Sequence, residues 1–163
     1  MERLWSPWRL AYVTGAKPDD GCVFCAATRL PDPDSLVVHR GTSCFVVLNL
    51  YPYNNGHLMV VPYRHVASLA GLTSDELHEA ADLTQRSEVA LVEAYQPHGI
   101  NVGVNIGKPA GAGVLDHVHV HLVPRWNGDT NFMTVVGDVR VLPESLLEAR
   151  TRLAPIFERL SRP

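Results

Sequence analysis

Between Asp116 and Pro124 histidine alternates with aliphatic residues: His117, Val118, His119, Val120, His121, Leu122, Val123. A two-residue period reads as a strand, because successive strand side chains point to opposite faces. A strand over 116–124 sets His117, His119 and His121 on one face and Val118, Val120 and Leu122 on the other. Neighbouring imidazoles then lie about 7 Å apart, within reach of one shared substrate or ion. Three groups that titrate near neutrality make a poor core. The alternative is a solvent-facing polar stripe, a task that Ser, Thr, Lys and Glu perform without unpaired imidazoles.

With 163 residues, 46% of them hydrophobic, the chain is expected to fold as a single domain over 1–163 with a core of its own. A net charge of −3 and the lack of any Lys/Arg run argue against a nucleic-acid groove, so an anionic ligand has to be held locally. No apolar stretch is long enough to cross a bilayer, and Met1 to Trp5 lack the apolar run of a signal peptide. Three cysteines are an odd number, and two of them form Cys22-Val23-Phe24-Cys25. Together these features lead us to expect a soluble, cytoplasmic protein whose cysteines are ligands rather than disulfides.

Along the chain, residues 1–34 read as an irregular segment carrying the cysteine pair. Its Leu4-Trp5-Ser6-Pro7-Trp8-Arg9 stretch is suited to packing on a neighbour or on the ligand site. Strands are expected at Leu36–His39, Cys44–Asn49, His57–Pro62 and Gly99–Asn105, ahead of the histidine strand. Thr73-Ser74-Asp75-Glu76 has the form of a capping box, and Leu77, Ala80, Ala81, Leu91 and Ala94 recur at helical spacing up to about Tyr95. A C-terminal helix over 143–161 carries Leu146, Leu147, Leu153, Ile156 and Leu160. The expected class is α+β: an antiparallel sheet with one long inserted helix and one appended helix.

Two constellations invite chemistry. Cys22 and Cys25 suit one corner of a tetrahedral zinc site, with His65 and His117 as candidates for the remaining ligands. Redox pairs share the Cys-x-x-Cys spacing, but no βαβ unit surrounds this pair; two loop cysteines without an ion are the plain alternative. The turn Gly107-Lys108-Pro109-Ala110-Gly111-Ala112-Gly113 could let backbone N–H groups approach a phosphate, with Lys108 adding a positive charge; alone, it is a flexible loop.

The run His117-Val118-His119-Val120-His121-Leu122-Val123 resembles the His-φ-His-φ-His-φ-φ motif (φ apolar) of the histidine triad (HIT) superfamily of nucleotidyl hydrolases and transferases. Similarity extends from Leu4 to about Val136. The stretches Asn49–Pro62, Leu4–Arg9 and Pro124–Phe132 look most like the branch containing bacterial diadenosine polyphosphate phosphorylases and hydrolases.

The resemblance implies an enzyme acting on dinucleoside polyphosphates such as diadenosine tetraphosphate. His119 would be the nucleophile that forms a nucleotidyl-histidine intermediate, with His121 and Asn105 at the phosphoryl oxygens. Asn49 would hold the ribose, and Trp126 would lie against the base or close the site by stacking. From the residues themselves, Lys108, Gly111 and Gly113 are candidates for the phosphates, with a solvated loop lysine as the alternative for Lys108. His57 is a candidate for the base pocket or, equally, a turn histidine satisfied by backbone. The resemblance also implies a structural zinc on Cys22, Cys25, His65 and His117, no catalytic metal, and a homodimer formed through the long helix and an adjacent strand. No nucleic-acid or membrane partner is implied. Ala112-Gly113 departs from the Gly-Ser pair of the phosphorylases, leaving phosphate and water open as acceptor. A nucleotide-binding sensor or scaffold with little turnover is the competing reading. His39, His78 and His98 read as surface or loop residues, and Cys44 as a small core residue.

Overall fold

A computed structural model describes residues 21–31, 34–129 and 143–161. The strands are β1 (Val37–Arg40), β2 (Cys44–Leu48), β3 (Leu58–Pro62), β4 (Gly99–Val104) and β5 (Val120–Arg125). The helices are α1 (Val23–Ala27), α2 (Ser74–Tyr95) and α3 (Leu146–Leu160). All strand pairs are antiparallel, in the order β1-β2-β3-β5-β4. The expected α+β class is therefore the observed one.

α2 starts where its sequence directs. The Thr73 side chain accepts from the Glu76 N–H while Glu76 reaches back to the Thr73 N–H, so two orphan donors are satisfied at once. Its buried stripe is Leu83, Ser87, Ala90 and Leu91, a helical spacing turned onto the sheet. Leu77, expected on this stripe, is 42% exposed, because the stripe begins one turn later. α3 presents Ala149, Leu153, Ile156 and Phe157 to the same core, whereas the expected Leu147 is exposed.

Three expectations need correction. A one-turn helix, α1, interrupts the supposedly irregular 1–34 segment, while Leu4–Arg9 lies outside the described residues. Leu36 falls outside β1 with a left-handed φ of 56°. The histidine strand begins only at Val120, since residues 117–119 are committed elsewhere: the Val118 N–H donates to the Val66 carbonyl at 2.7 Å, not to a sheet ladder.

Candidate active site and metal centre

The row of three histidines is buried rather than solvent-facing: His117, His119 and His121 are 0%, 4% and 8% exposed. Buried polar groups need partners, and here the partners fix which ring nitrogen carries the proton. At 2.9 Å the His117 carbonyl can only accept, so His119 donates from Nδ1 and keeps its lone pair on Nε2. At 2.8 Å the Pro62 carbonyl likewise requires His117 to donate from Nε2, leaving the Nδ1 lone pair free.

His121 is set by a longer chain. The Tyr53 backbone N–H donates to His57 Nδ1 at 3.0 Å, and Asn49 Nδ2 approaches the same atom at 3.3 Å. His57 therefore carries its proton on Nε2 and donates to His121 Nδ1, 3.0 Å away. His121 in turn holds a proton on Nε2. The His119 and His121 rings meet edge to face with centroids 4.6 Å apart, which puts a lone-pair nitrogen and an N–H nitrogen on neighbouring rings. Burial lowers the pKa of both rings, and the nearby His119 lowers His121 further, to about 4. Both are neutral at pH 7.

Beside His121 opens a cavity of about 280 Å³ lined by Tyr53, Asn101, Val102, Gly103, Asn105, His121, Val123 and Arg125. Gly103 lies opposite His121 across the β4–β5 ladder, so no side chain fills the space in front of the imidazole. Arg125 reaches Asn101 at 3.0 Å and forks onto Asp129 through two 2.7 Å bonds.

Of the residues expected at the site, His121 and Asn105 line the cavity, and His119 lies behind its wall with its ring against that of His121; others stand apart. His57 does not meet the base-pocket expectation but does meet the alternative of a backbone-satisfied turn histidine: it is fully buried behind His121, with both ring nitrogens pointing into protein, and forms no wall of this cavity. Asn49 turns inward, its oxygen on the Tyr51 N–H and its amide on His57. Gly111, with φ of 89°, is the loop glycine nearest to Asn105, but like Lys108 and Gly113 it is exposed and off the cavity wall. Trp126 is half-buried just beyond β5 and does not line the cavity. Tyr53, Asn101 and Arg125 were not singled out by sequence; the alternation that places His121 on one face also places Val123 and Arg125 there, a signal that could have found Arg125.

The second constellation comes together as expected. The ligand atoms of Cys22, Cys25, His65 and His117 all lie within 4.8 Å of one another. His117 Nδ1 is 3.2 Å from Cys22 Sγ and 3.7 Å from Cys25 Sγ, and His65 Nδ1 is 3.5 Å from Cys25 Sγ. Tetrahedral zinc with Zn–S of about 2.3 Å and Zn–N of about 2.0 Å requires nitrogen–sulfur edges of about 3.5 Å. The spacing fits, and the free lone pair on His117 Nδ1 supplies the donor. Pro62, which fixes that tautomer, stands where the outer-shell partner of a metal-bound histidine would.

The sequence profile of the HIT domain matches residues 31–128. The AP-4-A phosphorylase of Mycobacterium tuberculosis is 43% identical over 167 aligned positions, covering 98% of this chain and 86% of that protein. The bis(5'-nucleosyl)-tetraphosphatase (asymmetrical) of Schizosaccharomyces pombe is 33% identical over 95 positions, 58% of this chain and 52% of that protein. Among solved structures, a Zn-bound histidine triad family protein from Mycobacterium smegmatis superposes with a TM-score of 0.68 at 28% identity, covering 86% of this chain and 95% of that one. Domain match, near-full-length relative and shared fold agree with the buried histidine row: the chain belongs to the HIT family.

Proposed function

We propose that this protein is a nucleotidyl transferase that cleaves dinucleoside polyphosphates such as diadenosine tetraphosphate through a nucleotidyl-His119 intermediate. The observation that carries the reading is the pair of fixed tautomers, a lone pair on His119 Nε2 beside an N–H on His121 Nε2. The 43% identity to an AP-4-A phosphorylase supports the substrate class.

In the first step the His119 Nε2 lone pair attacks the α-phosphorus. An N–P bond forms, the bridging P–O bond breaks, and its electron pair leaves on the nucleoside triphosphate. His119 Nδ1–H, held on the His117 carbonyl, steadies the positive charge that develops on the imidazole. His121 Nε2–H and the Asn105 amide meet the phosphoryl and bridging oxygens without reorganising, since both already face the cavity wall. In the second step an acceptor oxygen attacks the same phosphorus, and the N–P electron pair returns to Nε2. The groove along Val123, Asn101 and Arg125 suits the departing half of the substrate. Cys22, Cys25, His65 and His117 would hold a structural zinc, which when bound ties three chain segments together beside the nucleophile.

We assign phosphate as the acceptor on the strength of that phosphorylase relative. Rapid acid quench should trap adenylate on His119, and turnover should give ADP plus ATP in equal amounts only when phosphate is present. AMP plus ATP with no phosphate dependence would move the second step to water. Tight nucleotide binding with no trapped adduct would favour a sensor. We also infer a homodimer. β4 is one of the two edge strands of the described sheet and carries Val102 at 52% exposure, and α2 exposes Leu77, Val89 and Val92. Leu91 belongs to the intrachain helix–sheet contact and is not available to such a face. Light scattering at micromolar concentration should give twice the chain mass. No helix among the described residues is long and apolar enough to cross a membrane. We place the protein in the cytoplasm, where its three free cysteines stay reduced.

A further inference from the structure

We propose that the metal centre and the nucleophile form one mechanical unit, in which Phe24 is the positioning residue for His119. The inference rests on reading His119 as the nucleophile and adds what holds that ring in place.

Phe24 sits between the two cysteines on α1 and is 4% exposed. Its ring centroid lies 4.8 Å from that of His119 and 5.4 Å from that of His117. On its other side it joins Val37, Phe45, Val47, Met59 and Val61 in the core of the site face. The residue that covers the nucleophile is thus carried by the same five-residue helix that presents the thiols.

Such a helix cannot hold itself. One turn is far below the length at which a helix is stable alone, and the Cys22 N-cap makes no side-chain capping bond. A metal on Cys22, Cys25, His65 and His117 would fasten α1 to two distant segments and press Phe24 onto His119. A second link runs through the backbone. His117 faces the thiols through Nδ1 at 3.2 Å, and its carbonyl accepts the His119 Nδ1–H that orients the nucleophile. Movement of α1 therefore reaches His119 by two routes, the phenyl ring and the His117 peptide. His121, set by Tyr53 and His57, lies off both routes.

The test follows the accessibility of His119 rather than turnover alone. Full-length wild type, Phe24→Ala and Phe24→Leu, each with zinc content measured, are treated with diethyl pyrocarbonate, and modification of each histidine is timed by mass spectrometry. Wild type is also examined after zinc depletion with a chelator. His119 should react about tenfold faster in zinc-loaded Phe24→Ala and in zinc-depleted wild type than in zinc-loaded wild type, as local opening exposes it. Phe24→Leu, which keeps an apolar cover, should restore protection. Adenylate transfer to Phe24→Ala should slow by about tenfold or more while KM changes by less than about threefold, the pattern of a misplaced nucleophile. His119 modification rates within about twofold of one another in folded wild type with and without zinc, and in Phe24→Ala, would overturn the proposal. If zinc depletion abolishes the helical circular dichroism, zinc-loaded Phe24→Ala decides alone. Failure of the nucleophile assignment is a separate result: His119→Ala would keep turnover, and the modification rates would still report on the coupling.

Discussion

On the face of the sheet covered by α2 and α3, β2 and β3 contribute Cys44, Val46, Leu48, Leu58 and Val60, and these pack with Leu83, Leu91, Leu153 and Phe157. On the opposite face the same strands contribute Phe45, Val47, Met59 and Val61, and α1 lends them Phe24. His121 then enters the second row as the cross-strand neighbour of Met59. Both faces exclude water, to different ends. Behind the helices burial stabilises in proportion to apolar area, about 1.5–3 kcal/mol for each fully buried large side chain. Around the histidines it keeps imidazoles neutral, and the groups that compensate for burial, the carbonyls of Pro62 and His117 and the Tyr53 N–H, also choose their tautomers.

If the two faces divide chemistry from stability in this way, substitutions should separate them. The largest effect belongs to the site face. His119→Ala should lower turnover of diadenosine tetraphosphate by about 10⁴-fold or more while nucleotide affinity, measured calorimetrically, changes little. Activity within about tenfold of wild type would remove the chemistry from this face. On the helix face, Phe157→Ala should cost about 3–5 kcal/mol of stability in urea unfolding. Its kcat per folded molecule should match wild type at a temperature where the variant is folded. A fall in kcat as steep as that of a site variant would show that the faces are not separable.

Much of this division was legible in the sequence, for reasons that also explain what was not. Two-residue alternation placed the strands, and a capping box placed the start of α2, because both are local signals. The ligand quartet was legible because Cys-x-x-Cys and histidine are the residues that zinc requires. Leu77 was misplaced on the buried stripe, since helical spacing alone does not say where a stripe begins. For His57 the turn reading, a histidine satisfied by backbone, is the one that holds, through the Tyr53 N–H four residues away; its second bond, to His121 sixty-four residues on, has no local signature. Phe24 carries no sequence signal, since an aromatic between two cysteines has no meaning until the fold brings His119 beneath it.

Acid should act on the two faces differently. His121 has its pKa lowered to about 4, by burial first and then by His119, against a value near 6.5 in the unfolded chain. Below pH 6.5 the unfolded state takes up a proton that the folded state refuses. Stability is therefore fully present above about pH 6.5 and is lost as pH falls towards 4, by about 3 kcal/mol from this group. Glu76 belongs to a lower window. Its bond from Arg64, foremost, holds it at about 2, so its contribution fades only between its ordinary value and that point. Urea midpoints measured from pH 7 to 4 should fall in the wild type and fall less steeply in His121→Gln, where buried His119 still resists protonation. An unchanged slope in that variant would mean that burial does not hold His121 neutral.

The smallest effect tests the seam between the faces. Ser145 caps α3, accepting from the Glu148 N–H at 3.3 Å and donating to its carboxylate at 2.7 Å. It also lines a small space shared with Leu48, Gly56, Glu144 and His57, the residue that orients His121. Loss of a cap costs about 1 kcal/mol, so Ser145→Ala should lower the melting temperature by about 3 °C. Because His57 takes its orientation from Tyr53 and His121 rather than from Ser145, kcat should stay at the wild-type value. A drop in kcat out of proportion to so small a loss of stability would show that α3 reaches the chemistry through His57, and the helix face would then have to be counted as part of the site.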